Sequence, residues 1–184
     1  MAGRIATTRG ERARSLLNRL MPTILGHLAG GTSPDDQFAA FAQFTESLPA
    51  SVQIFSLLDH NRQLTKLLCD MLVLSPRMAS YLRRNPALFD LVLFDDFFDP
   101  LPDAVILAEQ IQATIADLSV EEALDAIKRR AREWRFQCEV QALSQILHPA
   151  DLGHTLSIIA DVVVRAVHQL AIQDMQRRHG SIDG

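Results

Sequence analysis

Two cysteines, Cys69 and Cys138, are all that the 184 residues contain, and neither has another cysteine or a histidine at metal-ligand spacing nearby. Both sit inside apolar-periodic stretches, which predicts two buried thiols in a reducing compartment. The eight glycines are scattered, mostly at termini and helix ends. No glycine-rich phosphate loop and no Gly-x-Ser-x-Gly elbow is present, so serine-nucleophile chemistry has no support. No His-Glu-x-x-His or Glu-x-x-His pattern occurs, and the step from Asp161 to His168 shares a helix face without further ligands, which argues against a metal site. No uninterrupted apolar run approaches the roughly 20 residues of a spanning helix, and Met1 to Arg14 lacks an apolar signal core; the expectation is a cytoplasmic protein with no membrane partner. Charge of one sign is not in excess either, with 18 Lys and Arg against 22 Asp and Glu and a net charge of -4. Bulk electrostatics therefore favour no nucleic acid, and any such partner would need a local patch.

What the chain does have is apolar residues, 48% of the total, enough at this length to hide roughly 70% of the unfolded surface. Their spacing is helical. Ala13, Leu16, Leu17, Leu20, Met21, Ile24, Leu25 and Leu28 recur at steps of three and four, with Pro22 expected to kink the helix and Gly30-Gly31 to stop it. Ser33-Pro34 restarts a helix that carries Phe38, Phe41, Ala42 and Phe44 inward, and Pro49 breaks the pattern. Val52 to Leu58 resumes it, and Asn61 caps the next helix, which turns Leu64, Leu67, Leu68, Met71 and Leu72 to one face. Ser75-Pro76 and Asn85-Pro86 each pair a capping residue with a first-turn proline, predicting helices over Pro76 to Arg84 and Pro86 to Phe94. Beyond them, Ala104 to Leu118 reads as a helix. Ser119 with Glu122 is a capping box opening a helix to about Leu147, His148-Pro149 ends that helix, and a last helix runs to His179 and stops at Gly180. No segment alternates as a strand does. The fold class is all-α, a bundle of seven or eight helices with no sheet. It is read as a single helical domain over residues 1–184, with a possible sub-domain joint near 95–102, where prolines, aspartates, Phe97 and Phe98 cluster.

The strongest charge feature is Lys128, Arg129, Arg130, Arg132 and Arg135 in the long helix. Phosphate or nucleic-acid binding is one reading. No aromatic residues are interleaved to stack bases, however, and Arg129 stands four residues after Asp125, so a solvated face with intrahelical pairs fits better. Lys128, Arg129 and Arg132 are accordingly the candidate domain or partner contact. The acidic run Asp90, Asp95, Asp96, Asp99 and Asp103 lacks the glycine and terminal glutamate of a calcium loop and reads as caps and solvated loop residues. No residue is assigned a catalytic, cofactor-binding or metal-binding role.

Several stretches, in order, resemble one family: Phe55-Ser56-Leu57-Leu58, Ser75-Pro76-Arg77-Met78-Ala79, Arg84-Asn85-Pro86-Ala87-Leu88-Phe89-Asp90, Glu133 with Arg135-Phe136, Leu156 with Ile159-Ala160-Asp161, and Arg178-His179-Gly180. The family is glutamine synthetase adenylyltransferase, whose members join two nucleotidyltransferase halves, one attaching AMP to glutamine synthetase and one removing it. The resemblance, over roughly Ala13 to Gly184, implies a fragment of that larger two-half enzyme: a non-catalytic helical region before the C-terminal, adenylylating half. It also implies ATP and magnesium as cofactors of the full-length enzyme only. The implied partners are the nucleotidyltransferase domains of the same polypeptide, glutamine synthetase and a nitrogen-signalling regulatory protein. The family's catalytic signature, Gly-Ser followed by Asp-x-Asp, is missing, since the one Gly-Ser pair, Gly180-Ser181, has no Asp-x-Asp after it. Within the resemblance Ser75 and Asn85 are expected to cap helices. Phe55, Leu88, Phe89 and Phe136 are expected in the core, and Arg135 to pair with a carboxylate such as Asp161. The alternative is a free-standing helical interaction module.

Overall fold

The computed structural model describes residues 11–48 and 51–180, and the side chain of Ser51 is not among what it describes. The Pro49 break and the tail from Ser181 lie outside these residues. Among the described residues there are nine α-helices, one 3-10 turn and no strand. The fold class is all-α. The count exceeds the expected seven or eight, and Pro76–Arg84 and the four-residue Leu88–Leu91 are separate elements, as their two start signals predict. The chain divides into two compact units between Leu93 and Phe94, just ahead of the proline- and aspartate-rich stretch.

The first unit holds α1 (Glu11–Leu28), α2 (Pro34–Ser47), α3 (Ser51–His60), α4 (Arg62–Leu74), α5 (Pro76–Arg84) and α6 (Leu88–Leu91). Helix α1 runs through Pro22 and buries Ala13, Leu16, Leu17, Leu20, Ile24 and Leu28 against α3 and α4. Leu25, counted with the inward set, stands 46% exposed. Phe41, Phe44, Phe55 and Phe89 are buried, with the rings of Phe44 and Phe89 meeting edge to face at 5.7 Å. Asn61 caps α4 by accepting from the Leu64 N–H at 3.0 Å, and Ser75 caps α5 by accepting from Met78 at 3.2 Å. Two start signals behave differently. Ser33 occupies the cap position of α2, but its hydroxyl makes no capping bond. Asn85 closes α5 instead of opening a helix: its Nδ2 donates to the Tyr81 carbonyl at 3.2 Å. The expected Pro86 to Phe94 helix then shrinks to α6, approached through three-residue turns such as Leu88 N–H to Asn85 O at 3.0 Å.

Gly31 belongs to this unit for a packing reason. A Cβ there would fall on the carboxamide of Gln37, a buried side chain whose Oε1 finds no partner.

The second unit comprises the 3-10 turn Asp95–Phe98, α7 (Ala104–Ile115), α8 (Val120–Leu143) and α9 (Pro149–His179). The three helices pack on one another. Their core follows helical steps: Leu107 and Ile111; Ala123, Ile127, Trp134 and Cys138; Ile159, Val162, Ala166 and Leu170. Asp103 caps α7 through Oδ1, accepting from Val105 and Ile106 at 2.9 and 3.0 Å. Ser119 and Glu122 form the full reciprocal capping box of α8.

Helix α8 ends at Leu143, short of the expected Leu147. Gln145 adopts φ 60°, and its N–H donates to Ala142 O at 3.1 Å while the Ile146 N–H donates to Gln141 O at 2.9 Å. This is the paired hydrogen-bonding of a left-handed helix terminus, made with glutamine where glycine is usual. Phe97 packs back onto α8, buried against Phe98 and Phe136 with ring centroids 5.2 and 5.9 Å apart. Helix α9 is, by length and composition, apolar enough to cross a membrane. In this unit one of its faces supplies core residues against α7 and α8, as a helix of a globular bundle does.

Candidate interaction surface on the long helix

Because Ile127, Trp134 and Cys138 turn inward, the 100° step of the helix carries Lys128, Arg129, Arg132 and Arg135 outward, and all four are exposed. The ridge is partly neutralised along its own helix. Lys128, rather than Arg129, takes Asp125, with Nζ 3.3 Å from Oδ1. Arg135 pairs with Glu139 one turn on, its Nε 3.0 Å from Oε1, and not with Asp161. An i,i+4 partner on the same helix needs no tertiary placement, which is why the local carboxylate wins. Such exposed pairs contribute about 0–1 kcal/mol each and leave the ridge free to exchange partners.

Arg130 is the member of the run that is structural. Its guanidinium lies 5.4 Å above the Trp134 ring, donates to Glu133 at 3.2 Å and reaches Gln110 Oε1 on α7 at 3.3 Å. It joins α7 to α8, a cation–π contact backed by hydrogen bonds.

Reading the sequence alone misses a second polar device on α8. Gln137 and Gln141, one turn apart, both donate to the main chain of the 3-10 segment. Gln137 Nε2 reaches Phe97 O at 2.8 Å, while Gln141 Nε2 reaches Phe97 O at 2.9 Å and Asp99 O at 2.7 Å. Gln141 is buried. The only signal available in sequence was a glutamine at an inward step of an amphipathic helix, with nothing to indicate carbonyls some forty residues away.

Both thiols are buried, and desolvation pushes each up to about 11, with the neighbouring carboxylates of Asp70 and Glu139 adding to the shift. They are packing groups rather than nucleophiles. Of the acidic run, Asp103 is a helix cap, Asp95 and Asp96 open the 3-10 turn, and Asp99 lends its carbonyl to Gln141. His148 caps α9, its Nδ1 accepting from Ala150 N–H at 3.3 Å. Among the described residues no three His, Cys, Asp or Glu side chains converge, so these residues offer no such donor set for a magnesium–nucleotide.

The described residues thus form two all-helical units, the second with a cationic ridge laced with its own carboxylates. A sequence model described as glutamate-ammonia ligase adenylyltransferase matches residues 65–183, and the chain belongs to that family. It is 33% identical over 183 residues to the bifunctional glutamine synthetase adenylyltransferase/adenylyl-removing enzyme of Mesorhizobium japonicum, a match covering 99% of this chain and 19% of the relative. The enzymes of the same description from Xanthobacter autotrophicus and Brucella suis are 34% and 32% identical, over 100% and 99% of this chain and 19% of each relative. The chain thus spans about a fifth of the length of the curated relatives it matches.

Proposed function

We propose that this chain is a non-catalytic helical segment of a glutamine synthetase adenylyltransferase, a cytoplasmic enzyme, and that it supports and regulates ATP-dependent adenylylation carried out elsewhere in the polypeptide. The observation that carries this reading is the match itself: essentially the whole chain aligns to 19% of bifunctional enzymes. Asp103 caps α7, and Asp125 and Glu139 pair with Lys128 and Arg135 on the ridge. ATP and magnesium then belong to the nucleotidyltransferase domains, and the partners of this segment are those domains, glutamine synthetase and a nitrogen-signalling regulatory protein. The ridge of Lys128, Arg129 and Arg132 is its contact for an acidic surface on one of them, a complementarity that acts on encounter rate and is screened by salt.

The test is to add the purified chain to an adenylyltransferase polypeptide lacking the matching segment and to follow adenylate incorporation into glutamine synthetase. The expected result is a rate that rises with added chain. The gain should shrink in high salt or with Lys128, Arg129 and Arg132 changed together to glutamate. A rate indifferent to the chain at every concentration contradicts the reading.

A further inference from the structure

The second unit carries an apolar surface that its own core does not use. Only 22% of the most apolar stretch of α9 is buried. Val164, Ile172 and Met175 stand 65%, 43% and 48% exposed, and on the adjoining α7 Val105 and Ile106 stand 66% and 45% exposed. Between the two helices runs an open groove of about 500 Å³ with Ala108, Ile158 and Val162 on its walls. No residue of α8 lines it, so it is separate from the basic ridge. Val105 lines this groove, whereas Val164, Ile172 and Met175 stand on α9 outside its lining; single exposed apolar residues are ordinary, but a groove with an apolar rim beside a largely uncovered apolar helix marks a surface that is covered in the working protein.

The groove also says what kind of surface covers it. Glu109, Asp161 and Arg165 line it, and Gln112 Nε2 donates to Gln169 Oε1 at 3.1 Å across it. Hydrocarbon cannot satisfy charged and amide groups set among the apolar ones, whereas a protein surface with an apolar centre and a polar rim can. The matched enzymes have the chain from which such a surface could come: four-fifths of their length lies outside the matched segment. We propose that the α7–α9 groove is the seat for the remaining, catalytic part of the adenylyltransferase polypeptide. This rests on the function proposed above and adds to it the face through which the segment docks.

The experiment measures binding of the labelled 184-residue chain to an adenylyltransferase polypeptide lacking the matching segment, prepared so that it retains ATP binding. Val105→Asp and Arg165→Glu, one on each wall of the groove, are the probes. Both positions face solvent, aspartate is favoured in the first turn of a helix, and glutamate is a good helix former, so the fold should persist; unchanged circular dichroism checks this. The expected result is a complex weakened about tenfold or more by either change and unaffected by Gln63→Lys on the first unit.

Binding that ignores both substitutions, or no binding by the parent chain, overturns the proposal. So does a parent chain that sediments as a dimer which Val105→Asp dissociates, since the occupant is then a second copy. Co-flotation with phospholipid vesicles that Val105→Asp abolishes assigns the face to a membrane and overturns it equally. Adenylylation measured in the same mixtures separates the two claims. Binding sensitive to Val105→Asp with no effect of the chain on rate keeps the docking face and removes the proposed function. A rate stimulated alike by parent and variant does the reverse.

Discussion

Phe136 shows what residue-level packing contributes. It is completely buried in the second unit and meets the Phe97 ring, so it fixes the long helix and the 3-10 turn to one another. Truncation to alanine should cost about 3–5 kcal/mol, from lost transfer energy plus the cavity left behind. A urea denaturation midpoint within error of the parent would show that this face of α8 does not pack as described. The thiols provide a second test at this scale. With Cys69 and Cys138 raised from the ordinary 9.0 to about 11, the folded chain keeps both protonated where the unfolded chain would ionise. Their contribution to stability is therefore intact below pH 9 and is lost as pH climbs toward 11. A thiol-specific reagent at pH 8 should label neither cysteine until the chain is unfolded, and rapid labelling of the native chain would contradict the burial.

Helix boundaries divide into those set locally and those set by tertiary structure. Asn61, Ser75, Asp103 and Ser119 are legible as caps because the bond each makes lies within three residues of it. Asn85-Pro86 carries the same signal, yet Asn85 bonds backwards to Tyr81. An asparagine before a proline serves as well to end one helix as to begin another. Gln145 in the left-handed region was illegible for a different reason: glycine marks such a terminus in sequence, and glutamine at φ 60° does not. The Gln137 and Gln141 bonds to residues 97 and 99 are long-range and leave no local pattern.

The capping box of α8 makes a prediction of its own. Its Glu122 carboxylate accepts from the Ser119 hydroxyl at 2.6 Å and from the Ser119 N–H at 3.0 Å, which holds it below its ordinary value of 4.5. A lowered carboxylate favours the folded helix start at neutral pH, and that help is lost as pH falls through the lowered value. The amides of Ser119 to Glu122 should exchange faster at pH 3 than at pH 5 after correction for intrinsic rates. Ser119→Ala, which removes the hydroxyl at a cost of about 1 kcal/mol, should flatten that dependence. Protection independent of pH in the parent would refute this role for the box.

At the scale of the whole molecule, the all-α class was legible because apolar residues repeat at three and four along nearly every segment, and the structure fills its cores from those positions. Of the candidate contact, the outward placement of Lys128, Arg129 and Arg132 was legible from spacing; the choice of Lys128 over Arg129 by Asp125 was not, since both stand within one turn of it. The apolar groove between α7 and α9 was hidden because sequence periodicity marks apolar faces without saying which of them remains uncovered.

The central claim is that this chain assists an adenylyl transfer it does not itself perform. It is tested most directly by incubating the purified chain alone with glutamine synthetase, labelled ATP and magnesium and counting the adenylate incorporated. The account predicts none above a protein-free control, because it places the transfer elsewhere in the polypeptide and the one Gly-Ser pair of this chain, Gly180-Ser181, has no Asp-x-Asp after it. Incorporation that tracks the chain through purification, and persists after contaminating full-length enzyme is excluded, would contradict it.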